Sequence, residues 1–307
     1  GCTVDSHCTS AWDYCDLTLN LCSPKAKVCN NDCSGQGTCV MVDSNTGLSF
    51  AGSCVLGMTS CDAVCSCAAG YHGSTCTMTS EDYAAKQGLR ETLLTTFKNV
   101  ALGDDTTQDA IEGWLQSLNA MATSTQEMST SGASLALDLA EYILDNAQTV
   151  NVPYTVVVDL MSAIDVANQA GISSDVARTN ALLDKFNAYV AANVLEGQAA
   201  VTSIQASFRA LTEILSGDGA TVGSSLPLTT SEVLDGVIAS SVSVASTEGS
   251  VVSVSVSSTR AKENGGRRRT SGSDGSMVGN PVRASIAATS TQQVTFVLQN
   301  IATESYY

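Results

Sequence analysis

The sequence predicts a multidomain α+β protein in which small disulfide-rich modules precede a helical array and an antiparallel, sandwich-like β region. All 12 cysteines lie before residue 77, apolar residues recur at helical spacing from about Thr79 to Gly197, and valines alternate with serines further on. We therefore expect four domains, covering residues 1–24, 25–78, 79–197 and 198–307.

Length and charge limit the classes of partner. The chain has 307 residues and a formal net charge of −16, from 30 acidic and 14 basic side chains. This length allows at least one sizeable core. An acidic surface repels nucleic acid, so we expect no nucleic-acid partner. We find no apolar run long enough to span a bilayer, and the start at Gly1 fits a secreted chain whose signal peptide has been removed.

The cysteine-rich region is better explained by disulfides than by a metal site. Zinc sites prefer closely paired cysteines, often with histidine, whereas the first four cysteines here are six or seven positions apart. The 2 histidines are His7 and His72. An oxidised framework indicates an extracellular or cell-surface protein.

Residues 1–24 are too few to bury a useful core, so disulfides must hold them. We expect Trp12 and Tyr14 to pack against these bridges. The expected bridges are Cys2–Cys15 and Cys8–Cys22.

Residues 29–76 carry the most specific pattern in the chain. It includes Cys33-Ser-Gly-Gln-Gly-Thr-Cys39 and ends with Cys65-Ser-Cys67-Ala-Ala-Gly70-Tyr71-His-Gly73-Ser-Thr-Cys76. Both segments resemble an EGF-like module. The long loop between them departs from the family because it carries Cys54 and Cys61, which we interpret as an extra local bridge. Spacing alone could not select the other pairs; the resemblance implies Cys29–Cys39, Cys33–Cys65 and Cys67–Cys76.

Further properties of EGF-like modules can be examined at single residues. Calcium-binding members carry acidic residues before the first cysteine, where this chain has Ala26-Lys27-Val28, so the resemblance predicts no calcium. Thr38 occupies the O-fucose acceptor position, and the alternative is an ordinary exposed hydroxyl. Since the chain has no Asn-x-Ser/Thr sequon, any glycans are expected to be O-linked. Gly70 and Gly73 can adopt positive φ in a tight loop, with Tyr71 over the adjacent disulfide.

Residues 79–197 contain five amphipathic segments that predict helices. Thr79 to Asp82 has N-cap spacing, Gly103-Asp-Asp-Thr-Thr ends the first helix and caps the second, and Pro153 lies near the start of the fourth. The third covers about 131–147, and the fifth follows residues 173–175. We expect their apolar residues to form a core rather than a cofactor site. Those of the first helix are Leu89, Leu93, Leu94, Phe97 and Val100.

The pattern changes after Gly197. Residues 198–215 fit either a helix or a strand, whereas the valines at 242–244 and 252–256 alternate with serine and predict a β-hairpin with one buried and one polar face. Val294, Phe296 and Leu298 predict a last strand. We interpret the basic segment Lys262–Ser276 as an exposed loop; the alternatives are a proteolytic site or a contact for an acidic neighbour.

The order of a helical region and a Val/Ser β region is similar to the extracellular juxtamembrane regions of polycystin-like and adhesion receptors, the GAIN-type arrangement. The similarity covers about residues 80–307 and rests on composition rather than on a motif. The chain shows no cysteine- and tryptophan-bearing cleavage motif before Ser305-Tyr-Tyr, so self-cleavage is not predicted.

No pattern in the chain predicts catalysis. Both histidines lie in the disulfide-rich part, and the sequence has no Gly-x-Ser-x-Gly, His-Glu-x-x-His or phosphate-binding loop. Asp104 and Asp105 are typical of a helix cap, while Asp218 and Asp274 are typical of turns. We therefore expect a non-enzyme with no catalytic residues, no metal and no cofactor.

Two non-enzymatic functions remain. The first is a structural subunit of an extracellular filament or glycoprotein assembly, whose partners are itself or related O-glycosylated proteins. Few strands are available for a closed sandwich, which leaves an edge for a neighbour to complete. EGF-like modules also occur in mastigonemes, the flagellar hairs of protists. Through its EGF-like segment this chain is similar to a subunit of such hairs. The second is a shed or truncated ectodomain of an adhesion or receptor protein that binds a ligand through its EGF-like end.

Overall fold

The chain divides into two compact units, Gly1–Ala85 and Lys86–Tyr307. The computed structural model describes residues 1–10, 12–44, 49–50, 52–171, 175–216, 221–228, 233, 239–245, 251–259, 282–288 and 294–297. The four-domain division stays a prediction. Several sequence predictions lie outside the described residues: the turns at Asp218, Asp274 and 247–250, the basic loop Lys262–Ser276, and the strand position of Leu298.

Three antiparallel strand pairs lie in the described residues of the first unit. Its buried cluster consists of the half-cystines Cys29, Cys33, Cys65 and Cys76 rather than of aliphatic side chains. So short a segment buries little apolar surface, and disulfides that join strands to the segments beside them stabilise it instead. The pairs are β1 (Asp13–Asp16) with β2 (Leu21–Pro24), β3 (Gly37–Asp43) with β4 (Cys61–Cys67), and β5 (Tyr71–His72) with β6 (Met78–Thr79).

The described part of the chain continues with six α-helices whose bounds the structure gives. Thr79 Oγ1 accepts a hydrogen bond from Asp82 N (3.2 Å), and Thr107 Oγ1 accepts one from Ala110 N (3.1 Å), so both predicted N-caps are present. The segment after Pro153 forms two helices rather than one. The bounds are α1 (Ser80–Gly103), α2 (Gln108–Met121), α3 (Thr130–Val150), α4 (Tyr154–Val157), α5 (Leu160–Ala170) and α6 (Asp175–Asn193).

Two antiparallel sheets complete the described part of the second unit. One has the strand order β12-β11-β8-β7 and the other β13-β10-β9. The mixed α+β class is therefore confirmed, while the sandwich arrangement stays a prediction. The strands are β7 (Val201–Ile204), β8 (Phe208–Ser216), β9 (Thr221–Ser225), β10 (Ser241–Ala245), β11 (Val251–Thr259), β12 (Val282–Ala288) and β13 (Val294–Val297).

The predicted hairpin between the two valine strands is wrong. Strand β10 pairs with β9 and β13, whereas β11 pairs with β8 and β12, so the two strands belong to different sheets. The alternation predicted correctly that the valine side of each strand is buried. A period of two determines which side chains share a face of the sheet, but it does not determine which strand lies next to which. One buried cluster contains Val242, Val244, Val252, Val254 and Val256.

The polar face of the four-stranded sheet is buried as well. Ser255 and Thr259 of β11 are 5% and 1% exposed. Thr212 Oγ1 of β8 lies 3.0 Å from Ser255 Oγ and 3.1 Å from Asn187 Oδ1 of α6, and Thr259 Oγ1 donates to Asn180 Oδ1 at 3.0 Å. We call these five residues the α6–sheet polar layer. Short hydroxyl side chains let the helix approach the sheet while each buried polar atom keeps a hydrogen bond.

The ambiguous segment at 198–215 forms β7 and β8, and Phe208 of β8 packs in the helical core. The apolar residues of this segment fit a helical spacing as well as a strand spacing. Phe208 is buried against the helices although it lies in a strand, so tertiary packing and not the local pattern decided the structure.

Trp12 and Tyr14 are 55% and 39% exposed, and their packing against the disulfides stays a prediction. One prediction of burial is wrong. Leu89, Leu93 and Val100 of α1 are 63%, 49% and 58% exposed. An adjoining stripe of this helix reaches the core, through fully buried Leu94 and Ala101 and partly buried Phe97.

Candidate functional site

The 12 cysteines form six disulfides and none is free. The sulfur atoms of three cysteines lie within 4.8 Å of one another at two places in the chain. Every one of these cysteines is in a disulfide and offers no thiolate to a metal. So many disulfides are typical of secreted or extracellular proteins. The bridges join the pairs given above: Cys2–Cys15, Cys8–Cys22, Cys29–Cys39, Cys33–Cys65, Cys54–Cys61 and Cys67–Cys76.

The last loop of the cysteine-rich region has the backbone that the sequence predicted. Gly70 and Gly73 have φ of 88° and 89°, in the left-handed region that favours glycine. Tyr71 is 36% exposed. Thr38 lies on β3 opposite Ser66 and is exposed.

Lys27 lies two residues before Cys29 and contacts strand β4. Its Nζ donates to Cys61 O at 2.6 Å and to Asp62 Oδ1 at 2.9 Å. The hydrogen bond from Lys27 lowers the pKa of Asp62. These oxygens are therefore already paired with a cationic side chain.

A ladder of charges joins helices α1, α3 and α6. Lys98 Nζ donates to Asp138 Oδ2 at 2.5 Å, Arg178 donates to Asp138 Oδ1, and Lys185 Nζ donates to Glu141 Oε1 at 2.7 Å. Burial opposes ionisation of Asp138, but the hydrogen bonds from Lys98 and Arg178 outweigh it and lower its pKa. The hydrogen bond from Lys185 lowers the pKa of Glu141. Carboxylates held ionised in this way join helices and are unsuited to act as general acids.

His72 contacts both an aromatic ring and a serine hydroxyl. Its ring stacks on Tyr83 with centroids 4.1 Å apart, and its Nε2 lies 3.2 Å from Ser80 Oγ. Ser80 Oγ also donates to Gly70 O at 3.4 Å, which engages the hydroxyl proton. No carboxylate among the described residues hydrogen-bonds this ring, so a Ser-His-carboxylate relay is not assembled there.

The edge of strand β7 borders a surface groove of about 480 Å³. Among the described strands β7 pairs with β8 alone, and Gln205 N donates to Phe208 O (2.9 Å) to close the turn between them. Hydrogen-bonded and non-bonded pairs alternate in an antiparallel ladder, so the N–H and C=O groups of Thr202 and Ile204 point away from β8. The groove is lined by Asn119, Val158, Asp159, Ser162 and residues 202–205.

Sequence reasoning missed this edge. The alternation of Ile204, Ala206 and Phe208 weakly predicted a strand. The order of the strands in the sheet decides which strand lies at an edge, and the alternation of apolar residues does not predict that order.

Apolar side chains also lie exposed on hairpin β1–β2. Asp16 Oδ1 accepts Thr18 N at 2.9 Å and holds the turn between these strands. Five large apolar side chains between residues 12 and 21 are exposed. We call them the β1–β2 apolar surface: Trp12, Tyr14, Leu17, Leu19 and Leu21, which are 55%, 39%, 66%, 63% and 58% exposed.

Comparison with known proteins identifies no family: no protein-family model matches the chain, and no curated protein matches it. None of the helices in the described part of the chain is both long and apolar enough to cross a bilayer.

Proposed function

We propose that this chain is a non-enzymatic structural subunit of an extracellular filament or glycoprotein assembly. The observation that supports the proposal is the open edge of β7, whose outward backbone groups border a groove. An edge strand with unpaired N–H and C=O groups accepts a strand from another molecule unless it is shielded.

In this proposal the regions of the chain have separate roles. Residues 29–76 form an EGF-like module that acts as a disulfide-stabilised spacer. Residues 80–307 form a GAIN-like helical and sandwich unit that makes the assembly contacts. Exposed Thr38 is the proposed site of O-glycosylation, which would keep the surface between contacts hydrated.

The chemistry of the contact follows from the backbone of β7. Thr202 and Ile204 each offer one N–H and one C=O to an incoming extended segment. At roughly 1 kcal/mol net for each hydrogen bond, these four bonds contribute about 4 kcal/mol. That is too little for a stable isolated pair, but a repeating assembly makes such contacts at both neighbours of every subunit.

The test uses the native, disulfide-intact chain and a matched pair of variants at one position. Ile204→Pro removes the outward N–H without removing a bond of the β7–β8 ladder, whereas Ile204→Val keeps the N–H. Electron microscopy should show ordered filaments for the wild type and Ile204→Val, and dispersed particles for Ile204→Pro. Dispersed wild-type particles, or filaments unaffected by Ile204→Pro, would contradict the proposal.

A second candidate function is a shed or truncated ectodomain that binds a ligand at its cysteine-rich end. The β1–β2 apolar surface favours it, because exposed aromatic and aliphatic side chains are enriched at binding surfaces. Under this alternative, Trp12→Ala reduces binding of the labelled chain to intact cells by more than tenfold and leaves particle morphology unchanged.

A further inference from the structure

One solvent-exposed stripe of α1 carries large apolar side chains. Leu89, Leu93 and Val100 are 63%, 49% and 58% exposed, while Leu94 and Ala101 on the adjoining stripe are fully buried. A helix at a protein surface normally directs polar side chains outward. This face therefore has the composition of an interface.

The spacing of this face is that of a helix-pairing seam. Leu89, Leu93, Thr96 and Val100 are four, three and four positions apart, which is the d-a-d-a spacing of a heptad repeat. The hydroxyl of Thr96 donates to the carbonyl oxygen of Thr92 at 2.8 Å, so this threonine needs no outside hydrogen bond. We call these four residues the α1 seam; none of them is charged.

We propose that the α1 seam pairs antiparallel with the α1 seam of a second copy of the chain. A two-fold axis between residues 94 and 95 places Leu89 opposite Val100 and Leu93 opposite Thr96 of the second copy, so every apolar residue meets an apolar or methyl-bearing one. This contact lies apart from the β7 edge and goes beyond the proposed function.

Charge complementarity selects both the occupant and its direction. Lys86 Nζ lies 3.5 Å from Glu127 Oε1 of its own chain, and its side chain is 53% exposed. Antiparallel pairing brings this ammonium group beside exposed Asp104 and Asp105 of the second copy. Parallel pairing would place the two Lys86 ammonium groups together. A chain with a net charge of −16 repels a copy of itself over most of its surface, but the seam is uncharged and Lys86 meets Asp104 and Asp105 across it.

A second copy of α1 also has the same heptad spacing of apolar residues as the seam. Among helices α2 to α6, as far as the structure describes them, none exposes a large apolar side chain. The seam is therefore the heptad stripe that the described part of the chain offers, and α1 of another copy supplies its complement.

Sedimentation equilibrium of the disulfide-intact full chain tests the contact, with two lysine substitutions compared. Leu93→Lys places a charge in the middle of the seam. Leu102→Lys changes a residue of the same type and similar exposure, 56%, that lies off the seam on the same helix. We expect a dimer for the wild type and Leu102→Lys, and at least tenfold weaker dimerisation for Leu93→Lys at unchanged helicity. A wild type that stays monomeric, or equal effects of the two substitutions, would overturn the proposal.

Cysteine cross-linking tests the direction, because the chain has no free cysteine of its own. In the antiparallel pair the two Leu89 positions lie about 16 Å apart along the axis, so Leu89→Cys alone does not cross-link. The double variant Leu89→Cys/Val100→Cys should give a covalent dimer under mild oxidation. Cross-linking by Leu89→Cys alone would overturn the antiparallel arrangement. Ile204→Pro should leave this dimer intact, so failure of the filament proposal is distinguishable from failure of this one.

Discussion

Replacing Thr212 with valine tests whether α6 packs on a buried polar surface. The Thr212 side chain is 1% exposed, and its Oγ1 lies 3.1 Å from Asn187 Oδ1 and 3.0 Å from Ser255 Oγ. Valine has nearly the same shape but no hydroxyl. Both neighbouring oxygens then lose a hydrogen-bond partner inside the protein. The same substitution at the exposed Thr202, on the adjacent strand β7, is the control.

The magnitude follows from the number of groups left unsatisfied. A buried polar group without a partner costs about 1–3 kcal/mol, so we expect Thr212→Val to lower the free energy of unfolding by about 2 kcal/mol. Thr212→Ser keeps the hydroxyl and loses one methyl group, which costs about 1 kcal/mol. Thr202→Val should change the free energy of unfolding by less than about 0.5 kcal/mol, because solvent hydrates its hydroxyl and valine favours strands.

The assay is urea unfolding of the full chain without reductant, followed by far-UV circular dichroism. With a slope of about 2 kcal/mol/M, the loss in Thr212→Val lowers the midpoint by about 1 M. Equal midpoints for Thr212→Val and Thr202→Val would show that the hydroxyl of Thr212 faces water. The α6–sheet polar layer would then be refuted.

Two further predictions concern the charge ladder and the disulfides. The pKa of Asp138 is held below its ordinary value of 3.8, so its stabilising effect is present above that pH and lost as the pH falls through the folded-state pKa. Asp138→Asn should therefore flatten the decline in thermal stability below about pH 4; an unchanged decline would contradict this. Replacing Cys33 and Cys65 by alanine should cost about 4 kcal/mol against about 2 kcal/mol for Cys54 and Cys61, because the bridges span 32 and 7 residues. Equal losses in chemical unfolding would contradict the loop-entropy argument.

The helical part of the fold was largely predictable because its signals are local. The Thr79–Asp82 and Thr107–Ala110 caps form over a few residues, and the structure contains both. Only the break between α4 and α5 was missed, since Pro153 marked a helix start but no proline or glycine marks the junction at Val158–Asp159.

The β region was less predictable because its pairings join distant residues. The serine–valine alternation of β11 assigns Val254 and Ser255 to opposite sides of the sheet, as the structure has them. Whether the serine side meets water or a helix depends on α6, which lies earlier in the chain and contributes Asn187. The same long-range dependence explains why the β7 edge, the main feature of the candidate site, could not be predicted.

In helix α1 the spacing of apolar residues does not predict which of them are buried. Its apolar residues occupy two adjoining stripes: Leu94 and Ala101 face the core, and Leu89, Leu93 and Val100 do not. In the sequence both stripes form one broad apolar face, so the helical period predicts that all of it is buried. The structure buries the stripe of Leu94 and Ala101 and leaves the other exposed. The exposed stripe is uncharged and keeps heptad spacing on an acidic chain, which fits the proposed pairing between copies.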